Sequence, residues 1–248
     1  MELFNKSGIG LVSVLLLIGS MIACQSKDEM LPSPAQIEAT ALTASQGGEA
    51  SAERRVREWA EQGLPVAQRE LGMLYRNRLE RRAEAIALLE KAARAGDAEA
   101  AFQLGEMYRM AAGGKPEPAK AWPWYKMAAE NKHSTAALTL ALLMKSGDGV
   151  SSNPTETAKW LTLASNLGNS HAMFLLHNAY QEGNGVPRDS VKGRQLLEEA
   201  ARRDYPPAVQ EMAVAAPSDD RLTPKEDLRA STLLKAATGH NNDGAKRF

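Results

Sequence analysis

From about residue 51 onward, small and apolar positions return along the chain at a fixed step. Alanine occupies Ala92, Ala128, Ala164, Ala200 and Ala236, each 36 residues from the last. A second series, Ala100, Ala136, Ala172 and Ala208, keeps the same step, and Leu104, Leu140, Leu176 and Met212 follow it four residues later. Ala67 and Leu71 begin these series 33 residues earlier, through a shorter first loop. Within a unit the spacing is helical: "AEAAFQLGEMYRM" places Ala101, Leu104, Gly105 and Tyr108 at i, i+3, i+4 and i+7. "ETAKWLTLASNLG" repeats the pattern and closes on Gly168, a suitable helix stop. Between the two stretches lie "SGDGVSSNP" and "EGNGVPRDS". Their glycines, Gly147, Gly149, Gly183 and Gly185, suit a tight reversal, and Asn153 or Asp189 can cap the next helix. A pair of short helices cannot bury an apolar stripe alone, so units of this kind must stack. The pattern predicts an all-α chain: an initial half-unit helix ending at Gly63, then about five 36-residue helix-turn-helix units through residue 240. In the fifth, "PSDDRLTPKED" replaces the Gly-x-Gly-Val loop, as in a terminal capping unit.

The N-terminus carries a different pattern. Lys6 precedes "GIGLVSVLLLIGSMIA", too short and too rich in Gly and Ser for a bilayer core of ~30 Å, so residues 1–23 read as a signal peptide. Cys24 follows at once and is the chain's one cysteine, which excludes an internal disulfide and a cysteine-based zinc cage. Met21-Ile22-Ala23-Cys24 resembles a bacterial lipobox, with Met where Leu is usual. The resemblance implies an acylated Cys24 as mature N-terminus. With Gln25 and Ser26 after it and no Asp, it also implies placement on the periplasmic side of the outer membrane. The alternative is an uncleaved membrane anchor with an incidental cysteine. Residues 24–50, with two prolines, a glycine pair and no helical stripe, read as a lipid-anchored disordered tether. As a coil it would reach roughly 25–30 Å. Residues 241–248 read as a disordered tail.

Composition adds exclusions. Thirty basic and thirty acidic residues cancel, so no global field favours nucleic acid. His171 and His177 lie six apart, on opposite sides of one helix, and cannot share a metal. No metalloprotease, hydrolase-elbow or phosphate-loop motif occurs, and "DGVSSN" lacks calcium-ligand spacing. No catalytic residue, metal site, cofactor or small-molecule substrate is expected. Trp124 and Trp160, in one register with Leu88 and Leu196, read as packing residues, and "ERRVRE" and "NRLERRAE" as solvated faces with i,i+4 pairing.

The motifs "LGEMY", "SGDGV…AKWLTLAS" and "EGNGVPRD…LLEEAA" resemble the Sel-like repeats, 36-residue relatives of tetratricopeptide repeats, over about residues 51–240. The resemblance implies a right-handed α-solenoid whose first helix in each unit, helix A, lines a concave side where a protein partner binds. Its free flank would carry Arg69, Phe102, Leu138 and Phe174; then Met73, Glu106, Leu142 and Asn178; then Arg76, Arg109 and Lys145. That is a ladder with an apolar middle and a basic side, the signature of a partner site. Alternatively, each Phe or Leu tucks between adjacent A helices. Sel-like repeat lipoproteins of this layout include immunity proteins that neutralise lipase toxins of type VI secretion. The resemblance therefore implies a non-enzymatic, lipid-anchored module that binds one protein, a phospholipase toxin. The alternatives are a scaffold or regulator of secretion or cell-wall assembly and, more remotely, a cell-wall hydrolase.

Overall fold

The computed structural model describes residues 31–46, 50–110 and 116–215. Eleven α-helices follow in order among them: α1 (Pro34–Ser45), α2 (Ala50–Glu61), α3 (Pro65–Tyr75), α4 (Arg82–Arg94), α5 (Ala98–Arg109), α6 (Pro118–Glu130), α7 (Ser134–Ser146), α8 (Pro154–Asn166), α9 (Ser170–Glu182), α10 (Ser190–Arg202) and α11 (Pro206–Ala215). A 3-10 turn, Leu79–Arg81, precedes α4. Odd-numbered helices are A helices and even-numbered ones B helices. Each A helix from α3 to α9 packs on its own B helix, and each B helix packs on the next A helix, so the chain is an α-solenoid with neighbour-only contacts. The expected fifth unit is represented by its A helix, α11. Ala236 and the tail 241–248 lie outside the described residues, as do the leader and Cys24.

One expectation needs correction. Residues 34–45 were expected within a disordered tether, yet they form α1, which completes an N-terminal helix pair with α2. Its start is fixed locally. The Ser33 hydroxyl accepts from the Gln36 backbone N–H, and the Gln36 side chain accepts from the Ser33 N–H, a reciprocal capping box with Pro34 in the first turn. Its place is fixed by packing: Ile37 and Ala41 are buried against α2 and α3, and Glu38 pairs with Arg69. An apolar pair only four residues apart is too short a stripe to be legible alone.

The other boundaries follow the repeat. Asp97, His133 and Asn169, 36 residues apart, cap α5, α7 and α9 through backbone N–H groups three residues on. Asn153 and Asp189 cap α8 and α10, as expected. In the second loop, Gly183 ends α9 in the left-handed conformation (φ 74°), and Gly185 (φ 75°) lets the loop pass over the start of α8. A Cβ on Gly185 would lie 2.1 Å from the Pro154 carbonyl oxygen. The Gly-x-Gly-Val element thus stops one helix and seats the loop on the preceding unit.

The alanine series are where helices touch. Ala92, Ala128, Ala164, Ala200 and their partners Ala100, Ala136, Ala172 and Ala208 are fully buried, with Leu104, Leu140 and Leu176 beside them. Small side chains let helix axes approach closely. Gly105 extends this logic, because a Cβ there would sit 2.7 Å from the Tyr125 ring. Trp124 and Trp160 are half-buried against the same core. The arginine-rich runs are solvated in part, with Arg54, Arg55, Glu58 and Glu80 exposed and Arg57 paired with Glu53 four residues before it as expected, but Glu53 also gathers partners from the next unit. Glu53 accepts from Arg57 at 2.9 Å, from Arg78 at 3.0 Å and from Tyr75 Oη at 3.1 Å, and Arg81 lies over the Tyr75 ring. Burial pushes the Glu53 carboxyl up, but these donors outweigh it and hold it below the usual range.

Among the described residues, the residue closing each B helix from α4 to α10 is left-handed: Gly96 (φ 96°), Lys132 (φ 67°), Gly168 (φ 87°) and Asp204 (φ 56°). Side chains with a Cβ are strained there by about 1–2 kcal/mol. Lys132→Gly is therefore expected to raise unfolding free energy by about 1 kcal/mol, read by urea denaturation. Gly185→Ala should lower it by roughly 2–4 kcal/mol, through backbone strain and the clash with Pro154 together, measured in the same way.

Candidate functional site

The A helices lie side by side, and what fills each gap between them decides which ladder residues are free. Arg69, on α3, is fully engaged: its guanidinium reaches Glu38 on α1, Glu70, and the α5 cap Asp97 at 2.9 Å. Burial alone would lower its pKa, and the surrounding carboxylates reverse the shift. Between α3 and α5, Arg76 Nη1 donates to Gln103 Oε1 at 2.8 Å, and Met73 places its sulfur 3.8 Å from the same nitrogen. Arg69 and Arg76 thus knit the first units together.

Between α5 and α7 the filling is aromatic. Phe102 stacks on His133 with ring centroids 4.5 Å apart and planes at 18°, and it leans on Tyr125 at 5.8 Å. His133 Nδ1 accepts the Ala136 N–H, so its Nε2 carries the proton and donates to Glu99 at 3.0 Å. That hydrogen bond, with one from Gln103, keeps the Glu99 carboxyl below its usual range despite burial. Below Phe102, Tyr125 Oη donates to Glu106 at 2.6 Å. Arg109 donates to both Tyr125 Oη at 3.0 Å and Glu106 at 2.7 Å. Burial first, then the Glu106 carboxylate, raises the Tyr125 pKa well above the ordinary phenol. Glu106 and Arg109 are thus a closed polar triad with Tyr125.

Between α9 and α11 the gap is again filled. Phe174 leans on Tyr205 and His177, and His171 stacks on Tyr205 at 5.3 Å. Burial lowers the His171 pKa. His177 Nε2 lies 3.0 Å from Glu211 Oε1. The ladder's apolar middle is therefore not uniformly open. Leu138 is 8% exposed, buried in the core, and Phe102 and Phe174 are half-buried against rings of the next unit. For these three positions the alternative of tucking between A helices describes the geometry. The register that turns them outward on an isolated helix turns them towards the neighbouring unit in the stack.

The gap between α7 and α9 is open. Among the described residues, no hydrogen bond or ion pair joins these two helices. A cleft of about 350 Å3 lies there, with α8 behind it. It is lined by three ladder residues, Leu142 (38% exposed), Lys145 and Asn178, and by Thr157, Leu161 and Glu182. The opening has a cause in the repeat. Residues 36 positions after Glu106, Arg109 and Tyr125 are Leu142, Lys145 and Leu161, so the polar triad of α5 and α6 has lost its carboxylate and its ring at the cleft's corresponding positions. Thr157 and Leu161 escaped the sequence reading because the ladder followed helix A alone, and Glu182 because it lies on α9 one residue past the ladder's register. The substitution of Leu161 for Tyr125 in one register was the available signal. Among the described residues no group of three or more His, Cys, Asp or Glu could hold a metal, and no helix is long and apolar enough to cross a membrane.

The Sel1 repeat model matches residues 65–97, 98–133, 134–169 and 170–205, which are the four helix pairs from α3 to α10 with their connecting turns. A Sel1 repeat protein from Oxalobacter formigenes superposes with a TM-score of 0.67 at 24% identity, over 92% of this chain and 98% of that one. The c5321 protein, a protective antigen of uropathogenic Escherichia coli with the same type of repeat fold, gives 0.62 at 26% identity, over 76% of this chain and 41% of its own. An immunity protein, PA5088 of Pseudomonas aeruginosa, is similar at a TM-score of 0.46 and 17% identity, over 90% and 91% of the two chains. No curated protein matches the sequence. Four consecutive matches, each bounded by a helix cap or a left-handed turn seen in the structure, place this chain in the Sel1 repeat family.

Proposed function

We propose that the protein is a periplasm-facing, lipid-anchored interaction module of the outer membrane that binds and neutralises one protein, a phospholipase toxin delivered by type VI secretion. Sel1 repeats are typically non-catalytic interaction modules, and that coarser role follows from the family. The observation carrying the reading is the preformed opening between α7 and α9, an apolar floor with unpaired polar groups around it, where the other neighbouring A helices among the described residues are bridged by side chains. Such a site binds without ordering itself first, which limits the entropic cost of capture. Inhibition would then be by occupancy, covering the lipase's catalytic mouth or its lipid-contacting surface.

The anchor rests on Met21-Ile22-Ala23-Cys24, which lies outside the described residues. With α1 folded, only residues 25–33 separate Cys24 from the solenoid, a span of about 30 Å at full extension. The module would stay close to the bilayer that a phospholipase must reach, raising its effective concentration there.

Two measurements bear on this. Cys24→Ser should abolish labelling by a clickable palmitate analogue and move the protein from the membrane to the soluble fraction. Labelling that survives the change would remove the anchor. Pull-down of C-terminally tagged protein from detergent-solubilised envelopes should recover a single stoichiometric lipase whose activity falls on adding the purified protein. Recovery of structural envelope proteins instead would make the module a scaffold.

A further inference from the structure

We infer that the cleft between α7 and α9 seats an extended segment of the partner protein in which an apolar side chain stands next to an acidic one. The inference deepens the interaction reading and rests on it. The floor is apolar, from Ala141 and Leu142 on α7, Leu161 on α8, and Leu175 and Ala179 on α9. About 350 Å3 is near the small end of ligand sites and suits one leucine-sized side chain with its backbone.

The polar groups define the rest. Thr157 is 8% exposed, lines the cleft, and its hydroxyl has no hydrogen-bond partner. Asn178 lines the same wall, and its side chain makes no hydrogen bond among the described residues. A buried hydroxyl without a partner is costly, by about 1–3 kcal/mol. An extended backbone brings both N–H and C=O groups to meet the part-buried Asn178 amide. Lys145 supplies the charge requirement. Its equivalent one unit earlier, Arg109, is paired with Glu106, whereas position 142 holds Leu and leaves Lys145 without a counter-ion among the described residues. A carboxylate beside the inserted apolar side chain would take the place that Glu106 fills beside Arg109 in the preceding unit. Glu182, on the α9 side of the same cleft, is likewise without an ion pair and disfavours a second acid there. One cation beside one anion does not suit a polyanion such as nucleic acid, and a hydrocarbon chain would leave the Asn178 amide unsatisfied.

The test uses purified full-length protein in detergent and two fluorescein-labelled, C-terminally amidated peptides, Ala-Ala-Leu-Asp-Ala and Ala-Ala-Leu-Lys-Ala, followed by fluorescence polarisation. The acidic peptide is expected to bind roughly tenfold more tightly than the basic one, and Lys145→Glu to invert that order. Lys91→Glu, on exposed α4 surface, should change neither, and circular dichroism should show every variant equally helical. Equal affinity for the two peptides, an order unchanged by Lys145→Glu, or displacement of both by a neutral short-chain alcohol such as 1-hexanol would overturn the inference. Its failure is separable from failure of the proposed function. If the cleft is not the seat, Lys145→Glu protein still captures the partner from envelopes. If the function is wrong, no lipase is captured although the peptides are discriminated.

Discussion

The structure depends on close approach of neighbouring helices across alanine. A two-helix unit of about 36 residues cannot remove its apolar stripe from water by itself, so its stability comes from the units on either side. That works only if the axes come near enough for small side chains to interdigitate, which is why the fully buried positions of one register are alanines from Ala92 to Ala200. The glycines follow from the same demand. Gly72 and Gly105 admit Leu89 and Tyr125 against the helix backbone, and Gly185 lets a loop lie on the preceding helix start.

Once the stack is fixed by the B helices and the alanine seams, the spaces between A helices are free to differ, and they do. An ion pair bridges the first, an ion pair and an arginine–glutamine hydrogen bond the second, the Phe102–His133 stack with the His133–Glu99 contact the third, and rings with a histidine–glutamate contact the last. Only the α7–α9 gap lacks such a bridge among the described residues. Function in a solenoid of this kind is carried by departures from the repeat more than by the repeat. A unit that loses its filling exposes polar groups which the fold does not itself satisfy, and a partner can do so instead.

Much of this was legible in the sequence because it is local or periodic. The two helices per unit, the caps at Asn153 and Asp189 and the glycines that end helix A through a left-handed residue all follow from residue type and spacing. Other features were not. α1 has a short stripe and becomes a helix partner only when Ile37 and Ala41 find α2 and α3 to cover them. The ladder of Phe102, Leu138 and Phe174 is outward on a single helix, but whether outward means solvent depends on the distance to the next A helix, which no local pattern encodes.

The division has a physical basis. Hydrophobic period, capping chemistry and backbone permissiveness act within a few residues, so the sequence by itself determined the all-α repeat, its step, its turns and its family. Which arginines are spent on neighbouring carboxylates, and which gap stays open, depends on groups about 30 residues apart in the chain, such as Arg69 with Asp97 and His133 with Glu99. Only stacking brings those groups within hydrogen-bond reach, so it was the tertiary structure that separated Leu142, Lys145 and Asn178 from the rest of the ladder.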